Sequence, residues 1–170
     1  MDMNWEPFVV CPSEQSAPGA RGMGGPDGLG DRLRTAAFAE RQAFAAFLWA
    51  AETFSDASEG LRAAWRRIGL EEEVHLNLLL ERMKALGVKV GERPVSDRLW
   101  RRLTQCKTAA EFAAAMREAE ARGQAAEESF RRSLAERDPI TAAIFGQIAD
   151  DEAEHLAVAD RLAASIRNSV

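Results

Sequence analysis

The 170-residue chain contains no tyrosine, two cysteines and two histidines. Without tyrosine, no mechanism can use a tyrosyl radical or a tyrosine acid. Two cysteines, Cys11 and Cys106, cannot make a disulfide scaffold or a CxxC metal knuckle, and they read as free thiols of a cytoplasmic protein. Two imidazoles leave little choice about which of them could bind a metal. No apolar run approaches the roughly 18 residues of a membrane span, so no membrane association is expected. The start, Met1-Asp2-Met3-Asn4-Trp5-Glu6, lacks the basic and apolar regions of a secretory signal. Positive charge is also short: 22 basic against 27 acidic side chains give a net charge of −5. With a pI near 5.2, nucleic acid is the less favoured kind of partner.

Proline is scarce where it matters. Four of the six prolines and six of the twelve glycines fall in the first 30 residues, which read as an irregular arm over 1–30. Trp5, Phe8, Val9 and Val10 give that arm apolar groups to pack on the body. Beyond it only Pro94 and Pro139 interrupt the chain, and 32 alanines favour helix. Residues 31–170 therefore read as one all-α domain. Helix A is expected over about 31–54 and helix B over about 58–86, with Asp56 and Glu59 at capping-box spacing and a stop near Gly87. A long connection follows over 88–107, with a short helical piece around Asp97–Leu103. Thr108 with Glu111 opens helix C, to about 136, and Asp138-Pro139 opens helix D, to about 167. No segment alternates with period two, so no sheet is expected. Short A–B and C–D turns around a long B–C connection predict two antiparallel hairpins joined by one crossover, the ferritin-like four-helix arrangement.

The apolar stripes of these helices are interrupted by charge. Helix A runs Leu33, Ala37, Phe44, Phe47, Ala51 and Phe54 around Glu40. Helix B runs Leu61, Trp65, Ile68, Leu79, Met83 and Leu86 around Glu72 and His75. Helix C runs Phe112, Met116, Gly123, Phe130 and Leu134 around Glu120. Helix D runs Phe145, Ile148, Ala159, Leu162 and Ile166 around Glu152 and His155. A buried carboxylate without compensation costs several kcal/mol, and four facing one another repel. A pair of divalent cations removes both problems. Glu-x-x-His puts both side chains on one helix face, where they can share an ion.

The heights agree. Residue 56, midway between Glu40 and Glu72, falls in the expected A–B turn, and residue 136, midway between Glu120 and Glu152, at the expected C–D turn. Sixteen residues at about 1.5 Å each place all four carboxylates roughly 24 Å from their turns. The second hairpin repeats the first at an offset of 80 residues. Taken singly, a helical glutamate is usually solvated and a helical histidine usually structural; the joint pattern, using both histidines at matched heights, is what points to a dinuclear site. On helix C, Glu118 and Glu127 compete with Glu120 for the ligand position. Asp151 and Glu71, each four residues before a histidine, are candidates to accept its second N–H, or else surface charges.

Glu40, Glu72-x-x-His75, Glu120 and Asp151-Glu152-x-x-His155 resemble the ferritin-like diiron-carboxylate superfamily over about residues 31–167. Within it, Glu71-Glu72-Glu73-Val74-His75, Arg93-Pro94-Val95-Ser96-Asp97-Arg98-Leu99-Trp100, Glu120-Ala121-Arg122-Gly123 and Asp150-Asp151-Glu152-Ala153-Glu154-His155 are similar to a bacterial ferritin-like family of unassigned activity, related to the tRNA isopentenyladenosine hydroxylases. The resemblance favours Glu120 over Glu118 and Glu127. It implies that Glu40, Glu72 and His75 serve one iron and Glu120, Glu152 and His155 the other, with a glutamate of each Glu-x-x-His motif available to bridge them. No rubredoxin-like cysteine pairs are present, and two histidine ligands are more than ferritin sites typically use.

The implied function is a dinuclear non-haem iron oxidoreductase that activates dioxygen, hydroxylase- or oxygenase-like, with the four glutamates as metal-bound carboxylates, an unknown substrate and an external electron donor. Phe44, Phe47, Leu79 and Phe145 would wall off water. Two alternatives stand beside it: iron or peroxide handling with no organic substrate, and a bundle whose metal is structural. Manganese shares the ligand preferences of iron here. A homodimer is one arrangement open to the chain. Arg66-Arg67, Arg101-Arg102 and Arg131-Arg132, each beside an aromatic, read as solvated surface, and salt-sensitive binding would be the sign of an RNA partner.

Overall fold

The computed structural model describes residues 3–23 and 25–167, with side chains through residue 157. The described residues are all-helical: α1 (Pro26–Thr53), α2 (Glu59–Ala85), a 3₁₀ turn (Val90–Glu92), α3 (Arg98–Leu103), α4 (Ala109–Leu134) and α5 (Pro139–Arg167). They contain no strand, only an isolated parallel bridge between Val10 and Val95. None of the described helices is long and apolar enough to cross a membrane. The chain divides into two compact units, Met1–Leu48 with Gly69–Thr104, and Trp49–Ile68 with Gln105–Val170.

Local chemistry sets the helix ends. α1 begins at Pro26, five residues before the expected boundary; proline's fixed φ suits a first helical position, where its missing N–H costs nothing. α2 does not use Asp56 as its cap. Ser58 Oγ accepts from the Leu61 N–H at 3.2 Å, while Asp56 Oδ2 accepts from the Ala109 N–H, the first residue of α4, at 2.9 Å. α2 ends in a Schellman motif: Gly87 adopts φ +70°, its N–H donates to Lys84 O, and the Val88 N–H donates to Met83 O. Thr108 caps α4 through Oγ1, which accepts from the Glu111 N–H, and the Glu111 carboxylate accepts in turn from the Lys107 N–H at 2.7 Å. Asp138 caps α5 through the Thr141 N–H and hydroxyl.

In the first unit α1 and α2 run antiparallel. A Cβ on Gly30 would touch Val88, and one on Gly69 would lie 3.2 Å from Phe47 Cβ, so the absent side chain lets the two helices close up midway. The N-terminal arm packs on this unit. Trp5 meets Phe38 and Trp100 edge-on at 5.3 and 5.7 Å, and Phe8 meets Phe38 at 5.0 Å. Val9, by contrast, is half exposed to solvent at 50%. Buried Gln42 ties α1 to the connection: its Oε1 accepts from the Trp100 N–H and its Nε2 donates to Ser96 O.

The second unit has an aromatic core. Phe112 lies 5.7 Å from Phe54 and 5.1 Å from Trp65, with Trp49 at the edge of the same cluster. α4 and α5 run antiparallel, with Phe130 against Phe145 at 5.2 Å and Gln124 Nε2 donating to Ala149 O. The stripe residues Leu33, Ala37, Phe47, Ala51, Phe54, Leu61, Trp65, Ile68, Leu79, Met83, Phe112, Met116, Leu134, Phe145 and Ile148 are all buried. Leu86 departs from the pattern at 39% exposure, because α2 ends before it and the Schellman turn carries it out of the stripe. Phe44, Gly123 and Phe130 are half-buried. Ala159, Leu162 and Ile166 lie outside the residues whose side chains are described.

Candidate metal centre

Each unit contains one triad made by an antiparallel helix pair. In the first, α1 supplies Glu40 and α2 supplies Glu72 and His75. His75 Nδ1 stands 3.3 Å from Glu72 Oε2 and 3.9 Å from Glu40 Oε2. All three residues are buried, Glu72 completely. In the second, α4 supplies Glu120 and α5 supplies Glu152 and His155. His155 Nδ1 stands 3.7 Å from Glu152 Oε2 and 3.8 Å from Glu120 Oε2, and these residues too are buried. Within each triad one donor atom per residue lies within 4.8 Å of the other two.

These separations can be compared with what an ion requires. Two donors each about 2.1 Å from a common divalent ion stand between roughly 3 and 4.2 Å apart, depending on the angle between them. Every imidazole–carboxylate distance above falls in that span. Oxygen and nitrogen donors in this mixture suit iron, manganese or zinc rather than a soft cation. Glu120 Oε2 adds a second indication, since it is buried and accepts no hydrogen bond. Burying such an oxygen costs several kcal/mol unless a positive charge compensates it. The residues therefore fit a metal, and buried Glu and His clusters of this kind could hold one.

Helix geometry explains why the triads form. Glu72 and His75 sit three residues apart on α2, as do Glu152 and His155 on α5, so each pair shares a face. Glu40 and Glu120 meet them from the neighbouring helix of each pair, and the three residues of the second triad follow those of the first at an offset of 80. The competitors of Glu120 end up elsewhere. Glu118 is exposed and lies 4.0 Å from Arg122. Glu127 is buried further along α4 beside Gly123, where an added Cβ would lie 3.8 Å from its Oε1, and it belongs to neither triad. Asp151 and Glu71 are half-buried. A family model for proteins of unknown function matches residues 6–168. The chain belongs to that family, DUF455. No curated protein and no solved structure matches it.

A second buried polar cluster, in the first unit, has no counterpart in the sequence reading. Asp31 is 5% exposed and accepts from Arg21 at Nε (2.9 Å) and Nη2 (2.7 Å), from Arg34 Nη1 (3.0 Å) and from Arg93 Nη1 (2.6 Å). Arg34 is fully buried and donates to the carbonyls of Lys89 and Val90 and to Glu92. The Arg21 hydrogen bonds foremost, then the other cations, hold the Asp31 carboxyl well below the usual carboxylate range despite its burial. The cluster ties arm, α1 and the connection together. A cavity of about 20 Å³ beside it, lined by Asp31, Arg34, Thr35 and Arg93, has room for a single water. Arg93 lies 62 residues from Asp31, and Glu92 lies 71 from Arg21, so no local spacing announces the cluster.

Proposed function

We propose that Glu40, Glu72, His75, Glu120, Glu152 and His155 together hold two metal ions, and that the chain is a dinuclear non-haem iron oxidoreductase. In this reading α1, α2, α4 and α5 are the four helices of a ferritin-like bundle, and the segment bearing α3 is its crossover. The observation that carries the proposal is the pair of buried triads, each with one Glu from one helix and Glu-x-x-His from the next, each with His Nδ1 turned to both carboxylates.

When bound, a reduced iron pair supplies the electrons that activate dioxygen. The side chains do the rest. Four carboxylates and two neutral imidazoles bring four negative charges, which balance two divalent ions without leaving net charge in an apolar interior. Glu72 and Glu152 would each offer a carboxylate to the metals. Asp151 and Glu71, each four residues before its histidine, would accept the second imidazole N–H and so fix its tautomer. Buried Phe47, Leu79 and Phe145 keep water from the site. Iron is preferred to manganese on the likeness of the motif set to diiron carboxylate proteins.

The test is anaerobic loading with Fe(II) followed by admission of oxygen. Oxygen uptake and a visible ferric absorption band are expected. Metal binding that raises the melting temperature with no oxygen uptake would leave a structural metal site and sink the oxidase reading.

A further inference from the structure

α2 has two unlike faces. Glu72, His75, Leu79 and Met83 are buried on one side. On the other, Leu70 is 56% and Val74 53% exposed, and half-buried Leu78 continues the apolar stripe by one more turn. Exposed apolar side chains scattered singly need no explanation, but three at successive turns of one helix form a patch.

The composition of that face is its own complement. Counting outward from Val74, leucines stand four residues away on either side, at Leu70 and Leu78. Seven residues away stand Arg67 and Glu81, and eleven away stand Ala63 and Ala85, all four exposed. Steps of four, seven and eleven return to one helix face, so these residues form a single strip. Reversing the strip about Val74 lays leucine on leucine, alanine on alanine and arginine on glutamate. A parallel pairing would oppose Arg67 to Arg67 and Glu81 to Glu81. Arg66 and Arg82, eight away on either side, are the one like-charged match in this reversal; Arg66 is held by Glu52 and Glu59 at 3.0 and 3.2 Å, and Glu81 has Lys84 beside it at 3.7 Å, an exposed pair that a facing arginine would join.

We infer that this face of α2 docks a second copy of the chain, the two α2 helices crossing antiparallel at Val74 about a two-fold axis. Arg67 then faces the partner's Glu81, and Glu81 faces the partner's Arg67, an isologous contact in which each charge pair occurs twice. The small alanines at the ends let the helices approach. The inference stands on α2 alone and is independent of the metal reading.

Sedimentation equilibrium on the full chain across a concentration series tests it. The wild type is expected to approach twice its 18.7 kDa mass at high concentration and to dissociate on dilution. Val74→Glu should be monomeric throughout, with an unchanged circular-dichroism melt, since Val74 packs against little in the monomer. Arg67→Glu and Glu81→Arg should each weaken association by about tenfold, and the double variant should recover most of it. A wild type that stays monomeric even at roughly millimolar concentration overturns the inference. So does a dimer indifferent to Val74→Glu, or a charge swap without rescue.

Discussion

At the scale of single residues, the interior of this chain is unusual for the charge it encloses. Glu40, Glu72, Glu120, Glu127, Glu152, Asp31 and Arg34 are all buried. Asp31 and Arg34 are compensated within the protein: each carboxylate oxygen of Asp31 meets a guanidinium. Asp31→Asn keeps the shape and removes the charge, leaving a buried guanidinium short of its counter-ion, so unfolding in urea should show a loss of about 3–5 kcal/mol. The pH dependence follows from the direction of the shift. A carboxyl held below its unfolded value of about 4 contributes stability above that pH and loses it as pH falls through the folded value. Wild-type stability should therefore decline below about pH 4 more steeply than that of Asp31→Asn. Each triad carboxylate lies instead beside an imidazole: His75 Nδ1 is 3.3 Å from Glu72 Oε2 and 3.9 Å from Glu40 Oε2, and His155 Nδ1 is 3.7 Å from Glu152 Oε2 and 3.8 Å from Glu120 Oε2.

At the scale of elements, helix ends are decided by a few capping side chains, and one of them acts on a helix far along the sequence. Asp56 sits in the α1–α2 turn but holds the first N–H of α4, 53 residues away. Asp56→Ala should destabilise the chain by about 1 kcal/mol, comparable to the loss of a cap, while leaving α2 helical because Ser58 caps it. Amide exchange would show the protection lost at the start of α4 and retained at Leu61; loss at Leu61 instead would restore the capping box that the spacing of Asp56 and Glu59 suggests. This example marks the limit of legibility. Local signals located α4 and α5 nearly to the residue through Thr108 and Asp138, and the stop of α2 through Gly87. They failed where a side chain is claimed by a distant segment, as with Asp56, or where a helix starts inside a glycine-rich arm, as with Pro26. Arg34 and Gln42 read as ordinary polar residues between apolar ones, because their partners in 89–100 come from the distant connection after α2 and not from a neighbouring turn.

At the scale of the whole molecule, the informative feature is repetition. Two helix pairs, offset by 80 residues, present the same three side chains, two glutamates and a histidine, at matching positions. That was readable in the sequence because helical rise and turn position fix heights, and because only two histidines exist to be placed. Spacing alone leaves open which acidic residue on α4 joins the triad, because Glu120 and Glu127 are both buried on that helix; the motif resemblance favours Glu120, and Glu120 Oε2 stands 3.8 Å from His155 Nδ1. The surface strip on α2 was also invisible as a strip, since its residues are polar and apolar in turn and acquire meaning only from being exposed together. The central proposal is a pair of metals held by the two triads. The most direct measurement is metal content per chain after anaerobic reconstitution with Fe(II), on the wild type and on Glu72→Ala with His155→Ala, which removes a donor from each triad. About two ions per chain in the wild type and none in the double variant is the predicted result. A wild type that retains one ion or none, or a double variant that still holds both, would contradict it.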